Sequence, residues 1–138
     1  MVKVRKDWPL QKRPTYSCIM PMHHMAIKPD GRIMPCCIFR QECVPEDLTI
    51  EHKDPFNHPF MKNIRESVTL DKPIDGCARC YHDEKVTGKS MRTEVFGFAH
   101  SFMRMPKDKS ILGKKAVLTN MDITFSNVCN QKCRMCGP

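Results

Sequence analysis

The chain contains no stretch approaching the ~20 consecutive apolar residues of a membrane-spanning helix. Its opening, Met1-Val2-Lys3-Val4-Arg5-Lys6, is basic, but the apolar run that would make it a secretion signal does not follow. Aromatics are sparse, with one Trp, two Tyr and seven Phe. No basic run is interleaved with them, so the pattern of a nucleic-acid groove, stacking rings among cations, is missing. No internal repeat or low-complexity tract interrupts the chain.

What the chain has in abundance is cysteine. Nine occur in 138 residues, an odd number clustered at short spacings. Without a secretion signal the expected compartment is the cytoplasm, where thiols stay reduced and such clusters hold metal rather than form disulfides. The length allows one domain with a modest core, burying roughly two-thirds of its unfolded-chain surface. Lys and Arg number 23 against 15 Asp and Glu, a net charge of +8. That balance favours acidic partners, nucleic acid or an acidic peptide, yet it is spread thinly enough to read as a solvated basic surface.

Along the chain, residues 1–15 read as an irregular basic lead-in containing Pro9 and Pro14. From His23 to Cys36, two short strand-like runs flank Pro29-Asp30-Gly31, and this turn chemistry predicts a hairpin that carries Cys18 and Cys36 toward each other. Asn57 as N-cap, Pro59 in the first turn and Phe60, Ile64 and Val68 at four-residue spacing predict a helix over His58 to Val68. Asp71 to Gly76 breaks it and leads into Cys77-Ala78-Arg79-Cys80. From Cys80 to about Phe102 the residues are helix-compatible, with Val95, Phe98, Ala99 and Phe102 as an apolar stripe and Gly88 and Gly97 as points of interruption. Met103 to Lys115 reads as a charged linker. Alternation from Leu118 to Phe125 predicts a half-buried strand.

That strand runs into Cys129-Asn130-Gln131-Lys132-Cys133-Arg134-Met135-Cys136. Three thiolates at C-x3-C-x2-C can hold three irons of a cubane cluster and leave the fourth open to a non-protein ligand. The run resembles the signature of the radical S-adenosylmethionine (radical SAM) enzymes. The resemblance implies a [4Fe–4S] cluster on Cys129, Cys133 and Cys136 whose open iron binds S-adenosylmethionine. One electron then splits that cofactor to methionine and a deoxyadenosyl radical.

A second set lies upstream. Cys18, followed after twelve intervening residues by Gly31 and then by Cys36, and the pair Cys77 and Cys80 offer four thiolates, from a hairpin end and a helix start. C-x2-C serves zinc and iron–sulfur clusters alike. With Met20-Pro21, His24, Pro29-Asp30-Gly31 and Pro35-Cys36-Cys37, the set resembles the first half of the auxiliary-cluster modules called SPASM and twitch domains, which accompany radical SAM enzymes. The resemblance implies a second, auxiliary iron–sulfur cluster on Cys18, Cys36, Cys77 and Cys80. No cysteine occurs between Cys80 and Cys129, which matches the shorter twitch type with one auxiliary cluster. In the better-known enzymes the module follows the barrel, whereas here its cysteines come first.

Several alternatives stay open at this level. Cys37 competes with Cys36 as ligand, and Cys43 reads as an ordinary thiol. His23, His24 and His82 are the candidates for completing a Cys/His zinc site, against a packing or hydrogen-bonding role. Arg79, Lys89 and Arg92 could donate to cluster sulfurs or form a solvated helix face. The expected fold is α+β: a small hairpin and helices around a cysteine-ligated cluster, followed by the first strand and cluster loop of a truncated radical SAM α/β barrel. The expected divisions are a lead-in at 1–15, the module at 16–105, a linker at 106–115 and the start of the radical SAM domain at 116–138. A complete barrel takes ~200 residues or more, so the expected partners are a C-terminal segment, in cis or in trans, and an electron donor. The substrate is left open, and no membrane is involved. The competing reading is a non-enzymatic zinc-binding interaction module for nucleic acid.

Overall fold

Pro29-Asp30-Gly31 makes the turn its chemistry demands. Gly31 adopts φ +82° and its N–H donates to Lys28 O at 2.9 Å, while Lys28 N–H donates to Arg32 O at 2.9 Å. Asp30 secures the turn by accepting from Arg32 N–H at 3.1 Å, an Asx contact typical of the residue in this position. The turn joins β1 (His24–Ile27) to β2 (Ile33–Met34) in antiparallel register, Ala26 opposite Met34 and Ile27 opposite Ile33. The computed structural model describes residues 18–95, 116–126 and 128. The lead-in at 1–15, the linker at 106–115, Gly97, Phe98, Ala99, Phe102, Cys129, Cys133 and Cys136 lie outside the described residues.

A short helix not anticipated from the sequence, α1 (Met20–His23), precedes the hairpin, with Pro21 in its first turn where a fixed φ is already helical. The hairpin therefore begins at His24 rather than His23. The longer helix α2 spans Pro59–Thr69, one residue on from the expected His58–Val68. Its N-cap is His58, not Asn57. His58 Nδ1 accepts from Phe60 N–H at 3.1 Å and His58 Nε2 lies 3.3 Å from Asp47 Oδ2, so the imidazole fills the role Asn57 was expected to play. Asn57 instead closes the preceding 3₁₀ turn, where Asp54 accepts its N–H. The buried stripe of α2 is Met61, Ile64, Arg65 and Val68, at the i, i+3, i+4, i+7 spacing of one helical face. Phe60 stands beside that face, edge-on to Phe39 at 6.0 Å.

The third helix, α3 (Ala78–Thr87), stops at Gly88, whose φ of +73° is left-handed. The helical stretch expected to run from Cys80 is therefore broken at Gly88, and the described residues 91–95 form a separate helical stretch. The glycine C-cap ends the helix because αL backbone costs glycine little and lets its N–H reach Glu84 O at 2.9 Å.

The last described strand, β3 (Asn120–Ile123), is shorter than the expected span Leu118 to Phe125. It does not stand apart from the cysteine module. It pairs parallel to β1, His24 with Asn120 through Ile27 with Ile123, giving a three-stranded sheet of order β2-β1-β3. Bonds from Val117 N–H to Met22 O at 3.0 Å and from Thr124 N–H to Ile27 O at 3.0 Å extend the pairing at both ends. All four β3 residues are exposed, unlike the half-buried strand expected, and among the described residues β3 is an edge strand of the sheet. No barrel is formed by the described residues. The mixed helices and small sheet agree with the α+β expectation.

The core lies between the sheet, α1 and α2, with Ile33, Met34, Leu48, Met61 and Val68 wholly enclosed. One charge is buried with it. Arg65 donates from Nε to Pro21 O at 2.8 Å and from Nη2 to Phe56 O, and its guanidinium sits 4.0 Å from the centre of the Phe56 ring. It ties α1, the 3₁₀ turn and α2 together. Replacing Arg65 by Ala leaves two buried carbonyls without their donor, and equilibrium urea unfolding of the full chain should show a loss of about 2–4 kcal/mol.

Candidate metal centre

Each upstream cysteine owes its position to a local stop in the backbone. Cys18 sits just before α1, and the Met20 amide two residues on hydrogen-bonds its sulfur. Cys36 follows β2 by one proline, and the Ile38 amide bonds its sulfur in the same way. A 3₁₀ turn, Asp75–Cys77, feeds directly into α3 and puts Cys77 at the helix N-cap. Cys80 is then three residues further along a helix, so the two thiols of the C-x2-C pair share one face.

These three segments converge. Cys18, Cys36, Cys77 and Cys80 line one cavity, walled by Met20, Phe39 and Met91 with Arg92 at its side. All are free thiols. Their charges feel one another: ionised Cys36, Cys77 and Cys80 each act on Cys18, and Cys77 and Cys80 act on Cys36. Burial pushes Cys36 up to about 12 and Cys77 up to about 11, and it pushes Cys18 up as well. In each case desolvation is the largest cause. Four soft donors in an apolar enclosure, two of them already met by amide N–H groups, form a donor set suited to thiolate-bound iron or zinc. The thiols surround a space rather than a point. Among the described residues no three Cys, His, Asp or Glu side chains converge where one ion could be held.

The remaining candidates separate cleanly. Cys36 faces the cavity and Cys37 does not: Cys37 Sγ lies 3.7 Å from Met91 Sδ, and Asp122 of β3 acts on it. Cys43 ends a 3₁₀ turn outside the cavity lining. His24 is buried with Nδ1 3.3 Å from Pro35 O, His23 Nδ1 lies 3.0 Å from Val117 O, and His82 is exposed, so none of these three lines the thiol cavity. Of the three basic candidates, Arg79 lies on the surface near Asp83, Lys89 is exposed, and only Arg92 reaches the cavity.

Sequence reasoning missed Gly76, Phe39 and Tyr81. A Cβ at Gly76 would stand 2.0 Å from Phe39 Cζ, so the glycine immediately before the C-x2-C pair is what lets the ring wall the cavity. Tyr81 sits four residues after Cys77, and that i, i+4 spacing at a helix start was the available signal.

Residues 18–81 match the family described as SPASM, an iron-sulfur cluster-binding domain. The match takes in all four cavity cysteines, covers a little under half the chain, and belongs to a domain type that occurs in radical SAM enzymes. No curated protein and no solved structure matches the chain. In the described residues no helix is long and apolar enough to cross a membrane.

Two outcomes test this geometry. Because the folded thiols ionise above the ordinary value of 9.0, their contribution to stability is complete below pH 9 and is lost as pH climbs through about 11 and 12. The urea midpoint of reduced, metal-free protein should therefore fall on the alkaline side, while a metal-loaded sample loses metal on acidification, as protons compete for the thiolates. Gly76→Ala should cost about 1–3 kcal/mol by overpacking against Phe39 and lower the metal retained after desalting.

Proposed function

We propose that this chain is the iron–sulfur cluster-binding front of a radical SAM enzyme. In this reading Cys18, Cys36, Cys77 and Cys80 hold an auxiliary cluster, and Cys129, Cys133 and Cys136 hold the catalytic [4Fe–4S] cluster that binds S-adenosylmethionine. The observation that carries it is the convergence of four thiols from three separate segments on one cavity, inside the stretch that matches an iron–sulfur domain. The C-x3-C-x2-C run, and its place in the sequence shortly after a strand, supports the catalytic half. When bound, that cluster supplies the electron that splits S-adenosylmethionine.

The chain's own part is to hold and orient. The Met20 and Ile38 amides stabilise ionised sulfur at Cys18 and Cys36. β1 carries β3 in register, so the strand that leads to Cys129 is anchored to the module. Residues 16–105 form the module, 106–115 a linker and 116–138 the start of the catalytic domain. The remainder of that domain, in cis or in trans, and an electron donor complete the enzyme in the cytoplasm. The zinc-module reading is less well supported. A tetrahedral zinc site with Zn–S of ~2.3 Å draws its sulfurs to within ~4 Å of one another, whereas a cubane sets an iron under each thiolate and spreads them. The match of residues 18–81 to an iron-sulfur cluster-binding domain favours the cluster over zinc.

Reconstitution without oxygen, followed by iron, sulfide and zinc analysis and a visible spectrum, tests the proposal. Two clusters per chain and a broad brown absorbance are expected. Cys77→Ala with Cys80→Ala should remove one cluster and spare the other, and S-adenosylmethionine should alter the EPR signal of the cluster that survives. Colourless protein with tightly held zinc, or equal loss of both clusters in the double variant, would overturn the assignment.

A further inference from the structure

Cys36 and Cys37 are adjacent, half-buried free thiols, yet only Cys36 lines the thiol cavity. A turn of the backbone between Pro35 and Ile38 would exchange the two. Which of them serves as ligand therefore depends on what fixes that backbone. His24 donates from Nδ1 to Pro35 O at 3.3 Å, in a buried contact. Lys28 donates from Nζ to Cys37 O at 3.0 Å. The two accepting carbonyls stand on either side of Cys36.

Both donors come from one strand. His24 opens β1 and Lys28 follows its last residue, a spacing of four that puts both side chains on one face of extended backbone. β1 is paired on both edges, with β2 and with β3, so the sheet sets the separation of the two donors. A cationic donor makes a stronger hydrogen bond to a carbonyl than a neutral one does. A histidine whose Nδ1 proton is given to a carbonyl has its tautomer and ring orientation set by that bond. Held at both carbonyls, the chain cannot turn at Cys36 without breaking one of these contacts. Cys36 is left sharing the cavity with Cys18, Cys77 and Cys80, while Cys37 Sγ lies 3.7 Å from Met91 Sδ.

We propose that His24 and Lys28 are positioning residues that select Cys36 over Cys37 as the ligand to the bound cluster, by pinning the carbonyls on either side of Cys36. The proposal rests on the auxiliary-cluster reading above. Each residue acts through the segment that carries the ligand. With both donors removed, that segment is free to turn, and the neighbouring thiol of Cys37 becomes available to the cavity.

The test uses the full chain carrying Cys129→Ala, Cys133→Ala and Cys136→Ala, so that a single site is read, with iron and sulfide measured after anaerobic reconstitution and desalting. Cys37→Ala should load as the parent does, and Cys36→Ala should lose the cluster. Adding His24→Leu and Lys28→Met to Cys36→Ala should restore loading, and a further Cys37→Ala should abolish it again. Residues with a merely structural role would lower loading when removed and could not restore it. A Cys36→Ala protein that loads with both donors in place, or one that folds without them and stays empty, overturns the proposal. A second measurement needs neither cluster nor buried substitution. In reduced, metal-free protein, iodoacetamide labelling read by mass spectrometry should modify Cys37 in excess over Cys36. Lys28→Met should shrink that excess, and Lys28→Arg, which keeps a cationic donor, should retain it. An excess unmoved by Lys28→Met overturns the proposal even where the combined variants fail to fold. A parent that holds no iron and sulfide overturns the cluster reading instead, and the labelling ratio, read without metal, keeps the two failures apart.

Discussion

Cys18, Cys36 and Cys77, brought out of water into one enclosure, are costly to ionise, and the module is organised around that cost. Desolvation dominates at Cys18, Cys36 and Cys77, and each neighbouring thiolate adds to it. Only a cation shared among them, or the proton each thiol keeps, resolves the conflict. The fold supplies partial relief in advance through amide N–H groups at Cys18 and Cys36. Such donors favour sulfur in its charged form, the form that binds metal. The arrangement is tuned for occupancy more than for an empty state.

Holding three separate segments at that enclosure falls to a few contacts of long range. Arg65 reaches from α2 to the α1 carbonyl at Pro21. Arg40 N–H donates to Gly76 O at 3.0 Å, joining the segment after Cys36 to the turn before Cys77. The missing side chain at Gly76 admits Phe39, which in turn meets Phe60 of α2. A small domain with a modest core depends on such ties more than a large one does.

The parallel pairing of β1 and β3 joins the hairpin to the strand that precedes the second cysteine set in sequence. A parallel pair needs a crossover, and here nearly the whole module lies between the two strands in sequence. Cys37 touches this junction from the module side, through Asp122 of β3 and through Lys28, whose Nζ donates to its carbonyl at 3.0 Å. Met121, Ile123 and Phe125 are large apolar residues left exposed in and just after β3, where a sheet edge is most prone to further pairing. On the function proposed above, this is the edge on which a catalytic barrel would build.

Local chemistry was readable from the residues because it depends on near neighbours. Pro29-Asp30-Gly31 specified its turn, Pro59 with the apolar spacing specified α2 to within a residue, and Gly88 marked the end of α3. The C-x2-C pair on one helical face, and the cysteine spacing that pointed to an iron–sulfur module, needed no tertiary knowledge either. What sequence could not decide were choices made by distant groups. Asp47 beside the imidazole makes His58 the cap in place of Asn57, and packing turns Cys36 inward and Cys37 toward Met91. Arg92 is distinguished from Arg79 and Lys89 only because Glu84 and Ser90 hold it at the cavity. Likewise β3 joins the module because β1 offers it a free edge 93 residues or more earlier in the chain, a pairing that no local pattern encodes. Residue types and spacing determined which atoms were available as ligands; three-dimensional packing decided which of them share one enclosure.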